Sequence, residues 1–239
     1  MHRTHRILAL ALGCTLASSS FLLAQDSKPV VTRVQESTPP KAPDLKAAGW
    51  ESLFDGKSLA GWEQRNGWAT FRIEGDSVLG TTATGSPNSF LCTKKSYRDF
   101  ELSFEVRVHN SLNSGVQFRS RGSESEKDKG RVTGPQVEIE AGPGEAGYIY
   151  GEATGRNWLS PDPKPHSHFK NDEWNQYLVR AEGDRMTTWI NGTLIEDIRD
   201  SLSNQEGFIG LQVHGIGKDQ GPFDVRWRNI KIRMLPAAK

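Results

Sequence analysis

The sequence predicts an all-β fold in which two antiparallel sheets pack face to face. Phe100, Leu102, Phe104, Val106 and Val108 recur at strict period two, the spacing of a strand with one buried edge. Asn191-Gly192 sits between Thr188-Trp189-Ile190 and Thr193-Leu194-Ile195. Both turn residues tolerate positive φ, so the pair reads as a two-residue hairpin. Other apolar runs are short and divided by Gly-rich turns, and none sustains a helical period.

Taken in order, the chain opens with an export-type leader over residues 1–24: a basic start at Arg3 and Arg6, an apolar Ile7–Leu12 stretch, and a cleavage end at Leu22-Leu23-Ala24. The apolar run is too short and interrupted to span a membrane. Ala11-Leu12-Gly13-Cys14 offers a lipid-anchored alternative, with a lipoprotein attached at Cys14 in place of a protein released to the periplasm or medium. Losing the leader removes two basic and no acidic residues, so formal net charge moves from +1 to −1. A near-neutral chain argues against nucleic acid or an anionic membrane as the main partner. Only Cys92 then remains, so no intramolecular disulfide can form and the core alone must hold the domain. Residues 25–48, rich in Lys, Pro, Ser and Thr, read as a disordered tether, and residues 49–235 as one domain.

Within that domain Glu74-Gly75-Asp76 turns between Phe71-Arg72-Ile73 and Ser77-Val78-Leu79. Near the end, Phe223, Val225 and Trp227 alternate, then Ile230 and Ile232 take the opposite parity; one extra residue near Arg228-Asn229 reads as a β-bulge. A single helical turn fits near Asp200–Gln205. Two long irregular segments remain. The 121–131 charge run reads as a solvated loop, and 151–172, with Trp158, His166 and His168, as a segment that can border a site.

Three strands carry polar edges. Gln117 and Arg119 alternate with Val116 and Phe118; Gln136, Glu138 and Glu140 with Val137 and Ile139; Gln212 and His214 with Leu211 and Val213. Strand side chains alternate between faces, so the apolar sets enter the core and the polar sets share the outer face. An arginine, a histidine, carboxylates and amides on one surface suit a sugar.

Four motifs together, Leu53–Trp62, Asn113–Arg119, Gly207–His214 and Arg228–Ile232, resemble the 3-keto-disaccharide hydrolase family (3-keto-glucoside 1,2-lyase/3-keto-2-hydroxy-glucal hydratase domain). The resemblance covers about Gly49 to Leu235. It implies a concanavalin A-like lectin/glucanase sandwich, export, an oxidised (3-keto) di- or glycoside substrate, and an upstream sugar 3-oxidoreductase that supplies it. The strand at Gln136–Glu138 departs from the family's usual order, with Gln before Glu rather than an acidic residue before Gln.

A ketone at C3 acidifies the C2 hydrogen, so such a site needs a base, an acid, and positive charge near the C3 oxygen. The candidates are Glu138 as base, Arg119 for the enolate, and His214 as acid or metal ligand, with Gln117, Gln136, Gln212 and Trp158 on the substrate. No cofactor is assigned, and the resemblance leaves a divalent metal open; His166-Ser167-His168 is weak evidence for one. Bland readings stand beside these: Arg119 pairing structurally with Glu138, His214 as a strand-end residue, and Glu140 as a solvent-exposed turn neighbour. The alternative function is a non-catalytic carbohydrate-binding or adhesion domain on the same sandwich.

Overall fold

The computed structural model describes residues 31–236. The expected leader, with Cys14, therefore lies outside the described residues, as does the start of the expected tether. In chain order the strands are β1 (Thr32–Arg33), β2 (Trp50–Ser52), β3 (Trp62–Asn66), β4 (Thr70–Glu74), β5 (Ser77–Thr81), β6 (Ser89–Thr93), β7 (Phe100–Val108) and β8 (Ser114–Gly122). They continue as β9 (Val132–Ile139), β10 (Ile149–Glu152), β11 (Asn157–Trp158), β12 (Asn175–Glu182), β13 (Arg185–Ile190), β14 (Thr193–Arg199), β15 (Phe208–Val213) and β16 (Asp224–Met234). Short 3-10 turns occupy Glu126–Asp128 and Ser201–Ser203. Among the described residues no helix is long and apolar enough to cross a membrane.

The strands form two antiparallel sheets. One runs β1-β14-β13-β12-β7-β16-β5-β4, with β2 also on β16, and the other β11-β10-β9-β8-β15-β6-β3. The inner faces meet in one core that includes Val116, Phe118, Val137, Ile139, Leu211 and Val213, all fully buried beside Phe104, Trp227 and Ile232. Alternation in the sequence thus marked the inner face correctly. Asn191 (φ +50°) and Gly192 (φ +83°) make the β13–β14 turn, and β4 and β5 form the second expected hairpin. β16 slips register between Arg228 and Lys231, with Asn229 at φ +51°, so Trp227 and Ile230 both point inward.

The tether expectation needs correction over 31–36. Thr32 and Arg33 pair with Arg199 and Ile198 of β14, and Val34 N–H donates to Asp197 O at 2.8 Å. Arg33 pairs with Glu196 at 3.1 Å, and Glu36 with Arg185 at 2.9 Å. Composition described the segment's own side chains; it could not show that β14 offers an unpaired backbone edge.

A second slip lies in β8. Gln117 faces Gln136 but Arg121 faces Thr133, one residue too many on β8, and Arg119 there has φ +49°. The bulge turns Arg119 inward, against its expected outer position. Its guanidinium, 0% exposed, crosses to the other sheet: it bonds Asp99 at 2.9 Å and donates to the carbonyls of Arg98, Gly183 and Ser203. Burial lowers its pKa to about 10 against the pull of Asp99, so it stays charged at neutral pH. Arg119→Met would leave the Asp99 carboxylate buried alone, and urea unfolding should show a loss of about 3–5 kcal/mol. A loss under about 1 kcal/mol would mean that this pair does not fasten the sheets.

Candidate functional site

The site is built on the outer face of the seven-stranded sheet, where β15, β8 and β9 lie side by side. Register sets Gln212 opposite Gly115, and Gly115 opposite Glu138. Gly115 has no side chain to fill the space between its two neighbours. A Cβ there would run into the Gln136 carboxamide, which leans across the position. Beside this row lies Gly210-Gln117-Gln136-Tyr150-Trp158, continuing through β10 to β11. The result is a cleft of about 650 Å³ with Glu138, Gln136, Gln212 and His214 at its base and Tyr150 and Trp158 on its rim.

Glu138 is only 5% exposed. Burial pushes its carboxyl up to about 8, with Glu140 and Glu152 adding like-charge pressure. Two amides oppose that shift: Asn113 donates to Oε1, and Gln136 Nε2 to Oε2 at 3.2 Å. Gln136 is itself held from behind, because Gln117 Nε2 donates to Gln136 Oε1 at 2.7 Å and Ser120 Oγ donates to Gln117 Oε1 at 2.7 Å. Every donor in this buried chain points toward the carboxyl, so Gln136 has one orientation and Glu138 one rotamer.

The facing wall brings Glu152, at the end of β10, near His214, Arg131 and Asn88. Burial raises the Glu152 carboxyl, opposed by the charges of Arg131, 4.0 Å away, and His214. His214 Nδ1 lies 2.7 Å from the Gly215 carbonyl, so it carries the hydrogen and Nε2 is the nitrogen left for a ligand. Gln212 is 1% exposed, yet its Oε1 has no hydrogen-bond partner among the described residues. A buried acceptor without a donor is costly, and a sugar hydroxyl in the cleft would supply one. Trp158, 37% exposed, meets Tyr150 edge-on at 5.4 Å, giving a rim on which a sugar ring can stack.

Of the residues the sequence singled out, Glu138, Gln136, Gln212, His214 and Trp158 line this cleft. Arg119 does not: the bulge sends it through the sheet to Asp99, and it pairs with no atom of Glu138. Gln117 is fully buried behind Gln136 and positions that amide instead of meeting a substrate. Glu140 is half-buried and accepts from Glu145 N–H, closing its turn instead of facing solvent. Sequence reasoning missed Asn88, Asn113, Arg131, Tyr150 and Glu152. Only the last two carried a signal, since Tyr150 and Glu152 alternate with Ile149 and Gly151 where the segment read as irregular, 151–172, begins.

The donor set does not suit a resident divalent metal. Among the described residues no three His, Cys, Asp or Glu side chains converge, and both Glu138 oxygens already accept from amides. His166 and His168 touch, but His166 Nε2 lies 2.8 Å from the Ala146 carbonyl. Cys92 is buried and its thiol is pushed up to about 12, too high to act as a nucleophile.

A raised carboxyl has a stability signature. Below about 4.5 the folded and unfolded chains both hold the Glu138 proton, and the site costs nothing. Between about 4.5 and 8 the unfolded chain releases it while the folded chain keeps it, so stability falls, then levels off above 8. Glu138→Gln removes that loss. Its Tm advantage over the natural chain should grow from pH 4 to pH 8 and then stay constant; a difference independent of pH would contradict the raised carboxyl.

Comparison with known proteins agrees with this fold. The domain model for 3-keto-alpha-glucoside-1,2-lyase-like proteins matches residues 49–233. A Parabacteroides distasonis structure described as a candidate glycosyl hydrolase is 20% identical, with TM-score 0.55, covering 79% of this chain and 94% of that one. The Bacillus subtilis carbohydrate-binding module CBM66 is 19% identical, with TM-score 0.52, covering 72% and 95%. A galectin-like-fold protein of unknown function from Bacillus subtilis is 11% identical, with TM-score 0.57, covering 79% and 96%. At these identities the likeness is one of fold, an all-β lectin-type sandwich. No curated protein sequence matches the chain. With most of its length matched by one domain model, this protein belongs to the 3-keto-alpha-glucoside-1,2-lyase-like family.

Proposed function

We propose that this protein cleaves 3-keto-glycosides by elimination across C1–C2 followed by hydration, a net hydrolysis, with Glu138 as the base. The observation that carries this reading is the buried Glu138 carboxyl at the base of an open cleft, pushed up to about 8 by burial and oriented by two amides that donate to it. A base works best when its pKa lies near the working pH, and an ordinary exposed glutamate is far too weak to take a carbon-bound proton. The family match and the unpartnered Gln212 oxygen support a sugar as the occupant.

In this mechanism the Glu138 carboxylate removes the C2 proton and the electron pair moves to the C3 oxygen as an enolate. Its collapse forms the C1–C2 double bond and breaks the C1–O bond, while His214 protonates the leaving oxygen. Water then adds its oxygen to C1 and gives up a proton to His214, while the Glu138 carboxyl, its proton by then exchanged with solvent, protonates C2. With Arg119 committed to Asp99, the positive group at the cleft is Arg131, and together with the Gln212 amide it can hold the C3 oxyanion. The substrate requires prior oxidation at C3 by a sugar oxidoreductase, and the basic-then-apolar opening of the chain supports an exported enzyme.

The Tyr150–Trp158 rim favours a second reading, a carbohydrate-binding module. Such a module has no need of a buried carboxyl near 8. The two separate on incubation with 3-keto-trehalose, 3-keto-sucrose and their unoxidised parents. The expected outcome is cleavage of the oxidised sugars only, with kcat/KM rising as pH climbs toward about 8 and Glu138 ionises. Binding of all four sugars without turnover would leave the binding module. Glu138→Gln should lower turnover on the order of 10²–10⁴-fold. Gly115→Ala, whose methyl displaces the Gln136 amide, should also lower kcat while the protein still melts cooperatively; full turnover by this variant would remove Gln136 from the account.

A further inference from the structure

A second cleft, of about 760 Å³, adjoins the first and shares Asn88, Arg131 and Glu152 with it. Its lining is strongly basic: Arg65 from β3, and Lys127, Lys129 and Arg131 from the β8–β9 loop, against the acids Asp128 and Glu152. Arg65 is paired with Glu63 and lies 5.0 Å over the Phe208 ring, and Arg131 reaches only to Glu152 at 4.0 Å. Lys127 and Lys129 have no acidic partner among the described residues and stand beside Arg131 on this cleft. Nor is the loop a loose end. Ser123 N–H donates to Arg131 O at 2.7 Å, Gly130 N–H to Ser123 O at 2.8 Å, and Val132 N–H to Asn66 Oδ1 at 3.0 Å. The charge run is solvated, as the sequence alone reads it, yet pinned at its base, and Lys127 and Lys129 line one cleft.

We infer that this second cleft receives the leaving-group half of the substrate, and that the preferred leaving group is anionic. The inference rests on the reading of the first cleft as the sugar site. A leaving group attached at C1 must project out of that cleft, and the ridge of Asn88, Arg131 and Glu152 is the border it crosses. Unpaired cations on a hydrogen-bonded loop attract a carboxylate without the cost of ordering the loop around it.

The test uses free leaving groups and their matched glycosides. Calorimetry compares 4-hydroxybenzoate with the isosteric neutral 4-hydroxybenzamide, at low salt and at about 0.5 M salt. Kinetics compares the 3-keto-glucosides carrying these two phenols. The benzoate should bind about ten-fold more tightly and its glycoside should show a matching advantage in kcat/KM. Both preferences should vanish in Lys127→Gln/Lys129→Gln and shrink with salt. These lysines lie in the exposed loop, so the double variant should melt like the natural chain. Equal binding of the two phenols, or a preference that survives the double variant, overturns the anionic subsite. If the glycosides resist cleavage while the lysine-dependent benzoate binding holds, the subsite stands and the proposed reaction falls. If both glycosides are cleaved equally with no lysine dependence, the reaction stands and the subsite falls.

Discussion

A carboxyl held out of water on the outer face of a β-sheet is the constraint around which the rest of this molecule is arranged. Glu138 cannot ionise cheaply where it sits, and only Asn113 and Gln136 lower that cost. Gln136 can donate toward it because Gln117 and Ser120 fix the amide from behind, and because Gly115 leaves room for it. Residues that never touch a substrate thus set the basicity of one that does. A group with this pKa is poised to exchange its proton near neutral pH, which removal of a hydrogen from a carbon next to a ketone requires.

The two sheets divide the labour. On the nine-stranded sheet the outward charges are neutralised locally: Glu101, nearly inaccessible, takes Arg180 at 2.7 Å and also Arg233, while Glu105 takes Arg228 at 2.7 Å over the Trp174 ring. Satisfied pairs give that face rigidity and little appetite for a ligand. The seven-stranded sheet carries amides, a histidine and two raised carboxyls, with one buried amide oxygen unanswered. Arg119 fastens this working sheet to the other one, so the expected substrate-facing arginine belongs instead to the frame.

The inner faces were legible in the sequence because a strand has a strict period, and Val116, Phe118, Val137, Ile139, Leu211 and Val213 obey it. Of the seven residues chosen for the site five line the cleft, Gln136, Glu138, Gln212 and His214 for the same reason and Trp158 from a segment read as irregular. The misplaced arginine has a plain physical origin, since alternation holds only while register holds. The added residue between Gln117 and Arg121 reversed the direction of Arg119, and nothing in Phe118-Arg119-Ser120-Arg121 beyond the loss of apolar alternation announced it. By contrast, the β16 bulge was visible because apolar residues lie on both sides of it. Asn88, Asn113 and Arg131 come from the ends of strands and from loops, where no period exists to place a side chain. Likewise, pairing of Thr32 and Arg33 with an open sheet edge leaves no mark in their own composition.

Cleavage of a 3-keto-glucoside in D₂O, with the product trapped at once by borohydride reduction, reads the fate of the C2 hydrogen directly. Elimination passes that hydrogen to the Glu138 carboxyl, which trades it with solvent in the open cleft before hydration, whereas attack by water at C1 leaves it in place. The expected result is one deuterium at C2 of the trapped sugar at the earliest times, with none found in unreacted controls lacking enzyme. Product that retains its original C2 hydrogen would show that no base removes this proton and would contradict the role given to Glu138.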